Sequence, residues 1–350
     1  MKKIIIEANI PALKGVFEPW CGVEYLTAPE ITPLAVSDAD ALIVRTRTKC
    51  NAELLNGSRC RFIGTATIGT DHIDYNYCQE NKITVVSAPG CNAPAVEQYV
   101  MSVIGYWLIE KAAKLSPQSL TIGIIGVGHV GELVAKSAEN LGFKVMRCDP
   151  PRSRNEHNIV DFVSLDTILA QSDVISVHTP LCHVGTDATY HLINNEFIAK
   201  AKRCRLLINA ARGEISDTKA LIKALSRMDL AIDCWENEPN INRELLEKAF
   251  IATPHIAGYS IEGKLRGSLM MVEAVAKHFS LDIDMHNLSQ FKSIITPDGN
   301  VDMGKYTLND ITKVMASYNP LIDTKMLQQH PEFFESLRNN YILRHEPAYI

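Results

Sequence analysis

The sequence has no dense run of lysine and arginine, and its 350 residues carry a formal net charge of -5. Nothing therefore draws the chain electrostatically to nucleic acid or to an anionic lipid surface, so we expect a small-molecule partner. No window approaches the roughly 18 consecutive apolar residues that a membrane helix needs. The apolar run Ile4–Ile6 ends at Glu7, so it predicts a first β-strand rather than a signal peptide.

Cysteine motifs for metal binding or redox chemistry are missing too. The nine cysteines are scattered singly with no Cys-x-x-Cys spacing, so we expect no metal site. Reduced and mostly buried thiols in a cytoplasmic protein fit this pattern best. There is no internal repeat and no low-complexity segment. With 46% hydrophobic and 21% charged residues, the chain is composed like a soluble globular protein of two or three domains.

Apolar runs of strand length alternate with segments of helix length through most of the chain, which predicts βα units around parallel sheets. The predicted strands are Ile4–Ile6, Ala41–Val44, Phe62–Ile63, Ile83–Val86, Thr121–Ile125, Val145–Cys148, Val174–Val177, Arg205–Asn209, Leu230–Asp233 and Phe250–Ala252. The predicted helices are Ala93 to about Lys114, His129–Leu141, Leu165–Ala170, Thr218–Ser226 and about Ile261 to Phe279.

This alternation predicts two Rossmann-like, doubly wound parallel-sheet domains. We expect a discontinuous substrate-binding domain, residues 1–92 and 257–284, and an inserted cofactor domain, residues 93–256, with the substrate in the cleft between them. After Leu281 the alternation stops, and Pro297, Pro320 and Pro331 interrupt the chain. Residues 285–350 are therefore predicted to form a small C-terminal α+β domain.

A glycine-rich turn, Gly126-Val127-Gly128-His129-Val130-Gly131, directly follows a predicted strand and precedes a predicted helix. Its G-x-G-x-x-G pattern allows a tight turn, approach of a pyrophosphate to the backbone and close helix packing. The helix N-terminus then offers free N–H groups and a positive dipole end to the phosphates. Asp149 ends the next strand, where a carboxylate accepts the ribose hydroxyls of NAD and repels the 2′-phosphate of NADP. We predict NAD as the cofactor, while nearby Arg152 is a residue type that accommodates NADP.

Three polar residues follow later predicted strands, at the edge where open α/β sheets place their ligands. They are Arg212 in Asn209-Ala210-Ala211-Arg212-Gly213, Glu238 in the segment from Asp233 to Pro239, and His255 in Thr253-Pro254-His255-Ile256-Ala257-Gly258. Oxidation of an alcohol that carries a carboxylate needs a base, a group that orients the base, and a cation. Histidine, glutamate and arginine supply these functions. Glu236 is a competing carboxylate, but the spacing to Asp233 and the following proline favour Glu238.

Taken in order, these segments resemble the D-isomer-specific 2-hydroxyacid dehydrogenases, and the resemblance covers about residues 40–280. It implies that His255 is the acid/base, that Glu238 pairs with it and that Arg212 binds substrate. It also implies a set of residues that face the cofactor beside the glycine-rich turn and Asp149. These are Thr179, Ala210, Ala211, Arg212, Asp233 and Gly258.

Further segments are similar to one branch of that family, which oxidises a phosphorylated four-carbon hydroxy acid. They are Val44–Lys49, Gly64–Asp74, Pro254–Ser260, Glu332–Tyr341 and Arg344–Glu346. This resemblance implies that Thr46, Thr67 and Tyr259 contact the substrate, and that the C-terminal domain joins two chains into a homodimer. Arg212 can hold the substrate carboxylate, which leaves Arg45, Arg47 or Lys49 as candidates for the phosphate.

Two other interpretations stay open on the sequence alone. One is an enzyme of the same family that acts on another small hydroxy acid, such as 3-phosphoglycerate. The other is a non-catalytic protein that binds NAD(H) and regulates a partner. The presence of Arg212, Glu238 and His255 argues against the second of these.

Overall fold

The computed structural model describes residues 1–156, 161–296, 302–304, 308 and 310–347. Their strands are, in chain order, β1 (Lys2–Glu7), β2 (Cys21–Leu26), β3 (Ala41–Val44), β4 (Phe62–Thr65), β5 (Thr84–Val86), β6 (Thr121–Ile125), β7 (Lys144–Cys148), β8 (Val174–Val177), β9 (Leu206–Asn209), β10 (Asp229–Ile232) and β11 (Ile251–Ala252).

The helices of the same residues are α1 (Pro33–Val36), α2 (Ala52–Leu55), α3 (Tyr75–Glu80), α4 (Ala93–Glu110), α5 (His129–Asn140), α6 (Pro150–Asn155), α7 (Leu165–Gln171), α8 (Asn195–Lys200), α9 (Thr218–Ala224), α10 (Arg243–Lys248), α11 (Ile261–Phe279), α12 (Ile311–Ser317), α13 (Pro320–Gln329) and α14 (Phe334–Asn339). Among the described residues, none of these helices combines the length and the apolar character that crossing a membrane requires.

The chain divides into two compact units. Unit 1 comprises Met1–Asn92 and Ser260–Gly304, and unit 2 comprises Ala93–Tyr259 and Lys305–Ile350. Each unit contains one sheet in which every paired strand runs parallel to its neighbour. The prediction of two Rossmann-like parallel-sheet domains is therefore confirmed.

The sheet of unit 1 has the strand order β2-β1-β3-β4-β5. Its central strands are continuous apolar runs, and β3 is buried along its whole length, as expected for strands covered on both faces. The long helix α11 contributes Leu269, Val272 and Val275 to the core on one face. The order reverses between β1 and β3, so the loops after these two strands are where this kind of sheet binds ligands.

The sheet of unit 2 has the order β11-β10-β9-β8-β6-β7. Ile124 packs with residues of α4 and α5, whereas its neighbour Ile125 packs with residues of α7 and α9. Because successive side chains of a strand point to opposite faces, helices cover both sides and the sheet is doubly wound. The reversal of order lies between β6 and β8, and it places the glycine-rich turn at the switch point.

The C-terminal stretch from residue 285 differs from the single α+β domain that we predicted. Phe291 and Ile294 are buried in the core of unit 1, while Val314, Leu327 and Phe334 are buried in the cores of unit 2. Their side chains therefore tie the two parts of this stretch to different units. Its described residues form α-helices and 3-10 turns and no β-strand. That this stretch joins two chains stays a prediction.

Most predicted elements are confirmed to within a few residues, and α4 ends at Glu110 rather than near Lys114. The edge strand β2 was not predicted, because Gly22 and Glu24 break its apolar pattern and most of its residues are only partly buried. Several short helices were also not predicted, among them α6, α8 and α10. These three have six residues each, and a helix this short shows little apolar periodicity.

Candidate active site

The glycine-rich turn between β6 and α5 forms an open cradle at the edge of the sheet. Gly126 has φ +83°, and a Cβ there would stand 2.7 Å from the Thr179 amide nitrogen. A Cβ on Gly131 would overlap the Gly126 carbonyl oxygen. By contrast, a Cβ on Gly128, the N-cap of α5, would meet nothing within 4 Å in the described chain. The first N–H groups of α5 are thus left to bind an anion, and the pyrophosphate of a dinucleotide fits them.

Asp149 stands directly after β7, and its carboxylate fixes the glycine-rich turn. Its Oδ2 accepts the Val127 N–H at 2.8 Å, and its Oδ1 accepts the Arg152 N–H at 3.0 Å as the N-cap of α6. The Arg152 guanidinium donates to the two Glu156 carboxylate oxygens at 2.8 and 2.6 Å and to the Val127 carbonyl. Because Arg152 is engaged in this way, the geometry favours NAD over NADP.

Thr179 and His178 follow β8, on the other side of the switch point. The Thr179 Oγ1 is buried and has no hydrogen-bond partner among the described residues. Burial lowers the pKa of the His178 imidazole to about 3, so the ring is neutral, and its Nε2 lies 2.9 Å from Ser176 Oγ. An orphaned hydroxyl beside the glycine-rich turn is a group that a bound ligand can satisfy. The residues present therefore fit a dinucleotide.

Asn209 shapes the turn that carries Arg212 after β9. Its side-chain oxygen accepts the Ala211 N–H at 3.1 Å, and its side-chain nitrogen donates to the Arg212 carbonyl at 2.9 Å. The next residue, Gly213, lies against the loop after β10, where a Cβ would overlap the Trp235 carbonyl oxygen. Only glycine permits this approach, so the turn that carries Arg212 packs directly on that loop.

His255 and Glu238 form a hydrogen-bonded pair at the same edge. The His255 Nδ1 lies 2.9 Å from Glu238 Oε2 and 3.2 Å from Oε1, and Oε1 also accepts the Trp235 N–H at 2.7 Å. Burial opposes ionisation of Glu238, but the charge and hydrogen bond of His255 and the Trp235 N–H together lower its pKa. The His255 Nε2 makes no hydrogen bond within the described chain. That nitrogen is left to exchange a proton with a ligand.

The backbone at His255 has φ +57°, in the left-handed region that side chains rarely adopt. The buried Asp233 carboxylate supports this segment by accepting the Ile256 N–H at 2.8 Å, the Ala257 N–H at 3.0 Å and the Thr253 hydroxyl at 2.7 Å. Backbone strain of this kind persists when the surroundings over-determine it. The contact of Asp233 with the cofactor stays a prediction, since the bonds seen here all serve the loop.

Glu236, the competing carboxylate, faces a different histidine. Its Oε1 lies 2.7 Å from His191 Nε2, and its Oε2 accepts the Thr218 N–H at 3.1 Å. Thr218 is the first residue of α9, so this pair anchors a helix. The geometry therefore favours Glu238, rather than Glu236, as the partner of His255.

Two arginines of the C-terminal stretch reach the same loop, and neither was predicted as a site residue. The Nη1 of Arg338, on α14, lies 3.7 Å from Glu238 Oε2, and the Arg338 Nε donates to Tyr259 Oη at 3.3 Å. Arg344 is buried and donates to the Ile256 carbonyl at 3.1 Å and to the Ala257 carbonyl. These partners are 79 to 100 residues apart in sequence, so no short motif could connect them.

Thr46 and Thr67 belong to unit 1, in the loops that follow β3 and β4. Thr46 is exposed, and its loop is held by the buried Glu7, whose Oε2 accepts the Arg45 N–H and the Thr48 hydroxyl at 2.9 Å each. The loop stands beside the switch point of that sheet, where ligands bind in folds of this kind. Contact of either threonine with substrate stays a prediction.

A metal is not favoured at the His255–Glu238 pair, although the residue types there can bind metals. Single ligand atoms of Cys234, Glu238 and His255 all lie within 4.8 Å of one another. Burial raises the pKa of the Cys234 thiol well above its usual value, and the thiol donates to the Ala211 carbonyl at 3.4 Å. A metal needs the deprotonated thiol, which this environment disfavours.

Comparison with known proteins identifies the family. Residues 93–257 match the family model described as the D-isomer specific 2-hydroxyacid dehydrogenase, NAD binding domain. The chain is 44% identical to the erythronate-4-phosphate dehydrogenase of Bacteroides thetaiotaomicron over 349 residues, which cover 98% of this chain and 97% of that protein. The chain belongs to the erythronate-4-phosphate dehydrogenase family. Membership confirms the resemblance drawn from the motifs, and the match to the NAD binding domain confirms NAD as the cofactor.

Solved structures of other 2-hydroxyacid dehydrogenases share the fold of this family member. The D-lactate dehydrogenase of Aquifex aeolicus, complexed with NAD and lactic acid, has a TM-score of 0.66 and 26% identity, covering 83% of this chain and 98% of that chain. The 3-phosphoglycerate dehydrogenase of Entamoeba histolytica, bound to NAD, has a TM-score of 0.66 and 25% identity, covering 81% and 98%. Each of these two alignments leaves somewhat less than a fifth of this chain uncovered.

Proposed function

We propose that the chain oxidises 4-phospho-D-erythronate to 2-oxo-3-hydroxy-4-phosphobutanoate with NAD, a step of pyridoxal 5′-phosphate synthesis. The relationship to erythronate-4-phosphate dehydrogenases over almost the whole length supports this substrate. One observation carries the chemistry: His255 Nδ1 contacts Glu238 at 2.9 Å, at the strand edge where the glycine-rich turn and Arg212 also stand.

His255 acts as the base in this proposal. With its Nδ1–H donated to Glu238, the neutral ring has its lone pair at Nε2, which takes the proton of the C2 hydroxyl. The Glu238 carboxylate then stabilises the imidazolium. Arg212 binds the substrate carboxylate and polarises the oxygen that becomes the ketone.

NAD, when bound, supplies the acceptor for the hydride from C2. The residues that would hold it share one edge of the unit 2 sheet, after successive strands. They are Gly126, Gly128, His129, Val130, Gly131, Asp149, Thr179, Ala210, Ala211, Arg212, Asp233 and Gly258.

We assign Thr46, Thr67 and Tyr259 to substrate binding. Thr46 and Thr67 offer hydroxyls after β3 and β4, and Tyr259 offers one immediately after the loop of His255. The phosphate needs cations or N–H donors, and the loop of Thr46 carries Arg47 and Lys49 with exposed side chains.

The assembly that we propose is a cytoplasmic homodimer joined through the C-terminal stretch. Ile322, Met326, Phe333 and Ile342 are 62%, 42%, 54% and 89% exposed, and residues four apart on α13 share one helix face. An exposed apolar surface of this kind is typical of an interaction site. Among the nine cysteines, all of which are described, none forms a disulfide and eight are buried, which suits a reducing compartment.

A substrate panel tests the proposed activity. Purified protein with NAD is given 4-phosphoerythronate, 3-phosphoglycerate, glycerate or D-lactate, and the formation of NADH is followed by absorbance. We expect the highest kcat/KM with 4-phosphoerythronate. Oxidation of 3-phosphoglycerate alone would contradict the substrate. Tight NADH binding without oxidation of any of the four would instead indicate a regulatory protein.

A further inference from the structure

The C-terminal stretch places a guanidinium beside the catalytic pair. Arg338 Nη1 lies 3.7 Å from Glu238 Oε2, the oxygen that also contacts His255 Nδ1 at 2.9 Å. Arg338 and His255 thus share one carboxylate oxygen. The second Glu238 oxygen accepts the Trp235 N–H, so the carboxylate is held from three directions.

This ion pair is not an ordinary surface contact. The side chains of Arg338 and Glu238 are each only 17% exposed, so water screens their attraction less than it would at the surface. The same guanidinium donates from Nε to Tyr259 Oη at 3.3 Å. Arg338 therefore connects the partner of the base with the tyrosine that we assign to the substrate.

Neighbouring contacts fix the stretch that carries Arg338 against the catalytic loop. Arg344 donates to backbone carbonyls of the loop at Ile256 and Ala257, and its guanidinium stacks 4.3 Å above the ring of Tyr318. Tyr341 meets Tyr259 edge to face, with ring centroids 6.1 Å apart. Arg338 is thus presented by a segment with several independent anchors, and its position does not depend on a single rotamer.

We propose that Arg338 is a positioning residue for the reaction: it holds the Glu238 carboxylate against His255 and, through Tyr259, orients a hydroxyl toward the substrate. The proposal rests on the proposed function, because it gives Glu238, His255 and Tyr259 the roles assigned there. It adds a residue from outside the part of the chain that matches the NAD binding domain of the wider family, residues 93–257.

This role of Arg338 predicts how its removal should change the pH profile of the oxidation. Since Arg338 and His255 share Oε2, removing the arginine leaves that oxygen wholly to the imidazolium, which favours the protonated base. Oxidation needs the neutral base, so the acidic limb of the pH profile should move to higher pH. The other charged or titratable groups near the pair are Arg212, Asp233, Cys234 and Tyr259, and all of them are unchanged in the variants below.

The test compares Arg338→Gln, Arg338→Lys and a control, Leu337→Ala, which removes packing from the same helix without touching Glu238. For Arg338→Gln we expect kcat to fall about tenfold, a fraction of the roughly 10²–10⁴-fold that a positioned acid/base supplies. Arg338→Lys should restore the acidic limb, because an ammonium can reach Glu238. The Arg338→Lys variant should still have a higher KM than the wild type, because lysine lacks the guanidinium group that also reaches Tyr259. Leu337→Ala should lower the melting temperature and leave the acidic limb of the pH profile unchanged.

A second readout is independent of the substrate. Protein labelled with ¹³C at histidine Cε1 is titrated by NMR without ligands, and the His255 signal is assigned by its loss in His255→Asn. The titration midpoint should rise in Arg338→Gln and return in Arg338→Lys. An unchanged midpoint together with an unchanged acidic limb would overturn the role of Arg338 and leave the proposed function intact. A shifted midpoint in a protein that oxidises no substrate of the panel would support the contact with the pair while the proposed function fails.

Discussion

Two histidines of this chain share an unusual backbone and an acidic partner. His255 has φ +57° and contacts Glu238, while His191 has φ +50° and contacts Glu236. The difference lies in what surrounds them. His255 belongs to the loop that Asp233 supports, and its Nε2 is left for a ligand, whereas the Glu236 pair anchors the start of α9. The second pair is therefore a natural control for the first.

Replacing His255 with asparagine should lower kcat by about 10²–10⁴-fold, because the base is lost. Asparagine tolerates positive φ better than most residues, so the loop should keep its shape. Steady-state kinetics with 4-phosphoerythronate measure kcat, and fluorescence titration with NADH should show that the cofactor still binds. His191→Asn is the matched control and should retain most of the activity. Equal losses in the two variants would assign the effect to folding rather than to catalysis.

Asp149 should decide between NAD and NADP. Asp149→Asn keeps a side chain that can cap α6 but removes the negative charge that we assign to the ribose of the cofactor. We expect the ratio of kcat/KM for NAD to that for NADP to fall by about tenfold, which corresponds to ~1.4 kcal/mol of lost discrimination. Kinetics with each cofactor measure the ratio, and an unchanged ratio would show that other residues set the preference.

Among the candidate site residues, the sequence predicted those that stand in motifs close to a strand end. Asp149, Arg212, Glu238 and His255 each stand directly after a strand or in the loop that follows one, so their motifs could be recognised. Arg338 could not be predicted in this way, because its contacts with Glu238 and Tyr259 depend on how the C-terminal helices fold back on the sheet.

Among the elements, two glycine turns have opposite requirements. Gly213 lies against backbone, where a Cβ would overlap the Trp235 carbonyl oxygen, whereas Gly128 faces open space at the N-terminus of α5. The first glycine is needed by the fold, and the second is needed only by a ligand that approaches the helix.

Alanine at each of these positions should separate the two requirements. Gly213→Ala should lower the free energy of unfolding by about 1–3 kcal/mol or more, because the loop after β10 must shift. Gly128→Ala should change it by less than about 1 kcal/mol, since φ is -80° there. It should nevertheless weaken NADH binding. Urea denaturation measures the free energy of unfolding, and NADH titration measures the affinity. Wild-type NADH affinity in Gly128→Ala would contradict the proposal that the glycine-rich turn binds the cofactor.

Two of the elements that the sequence did not predict, β2 and α6, bury little of their surface. In β2 the burial is partial and the apolar pattern is broken, while in α6 no residue is buried at all. The helix α6 depends instead on the Asp149 cap and on prolines in its first turn. Periodicity detects elements that bury a face, so elements held by pairing at an edge or by a cap escape it.

For the whole molecule, the sequence predicted both sheets but not the course of the C-terminal stretch. The prolines after residue 285 marked a change of character, yet Phe291 packs in unit 1 and Phe334 packs in unit 2. No local pattern specifies which core a single phenylalanine will enter. The exposed apolar residues on and after α13 are the surface that we propose for a partner chain.

The double variant Met326→Glu with Phe333→Glu should convert the proposed homodimer into monomers. Two buried carboxylates at an apolar interface would cost several kcal/mol of association free energy, by order of magnitude. Size-exclusion chromatography with light scattering measures the mass. Ile109→Glu, at a position of unit 2 that is 62% exposed, is the control and should stay dimeric. A monomeric wild-type protein would refute the proposed assembly directly.

The contacts of Arg338 and Arg344 also bear on the order in which this protein matures during synthesis. Ribosomes make Glu238 and His255 about 80 to 100 residues before these arginines, so the sheet of unit 2 emerges while the loop of His255 still lacks both guanidinium groups. Arg338 then pairs with the Glu238 side chain, and Arg344 donates to the backbone carbonyl of Ile256. A nascent chain that lacks Arg338 and Arg344 should therefore oxidise substrate more slowly than the finished chain, and synthesis of α14 and the residues after it should complete the site.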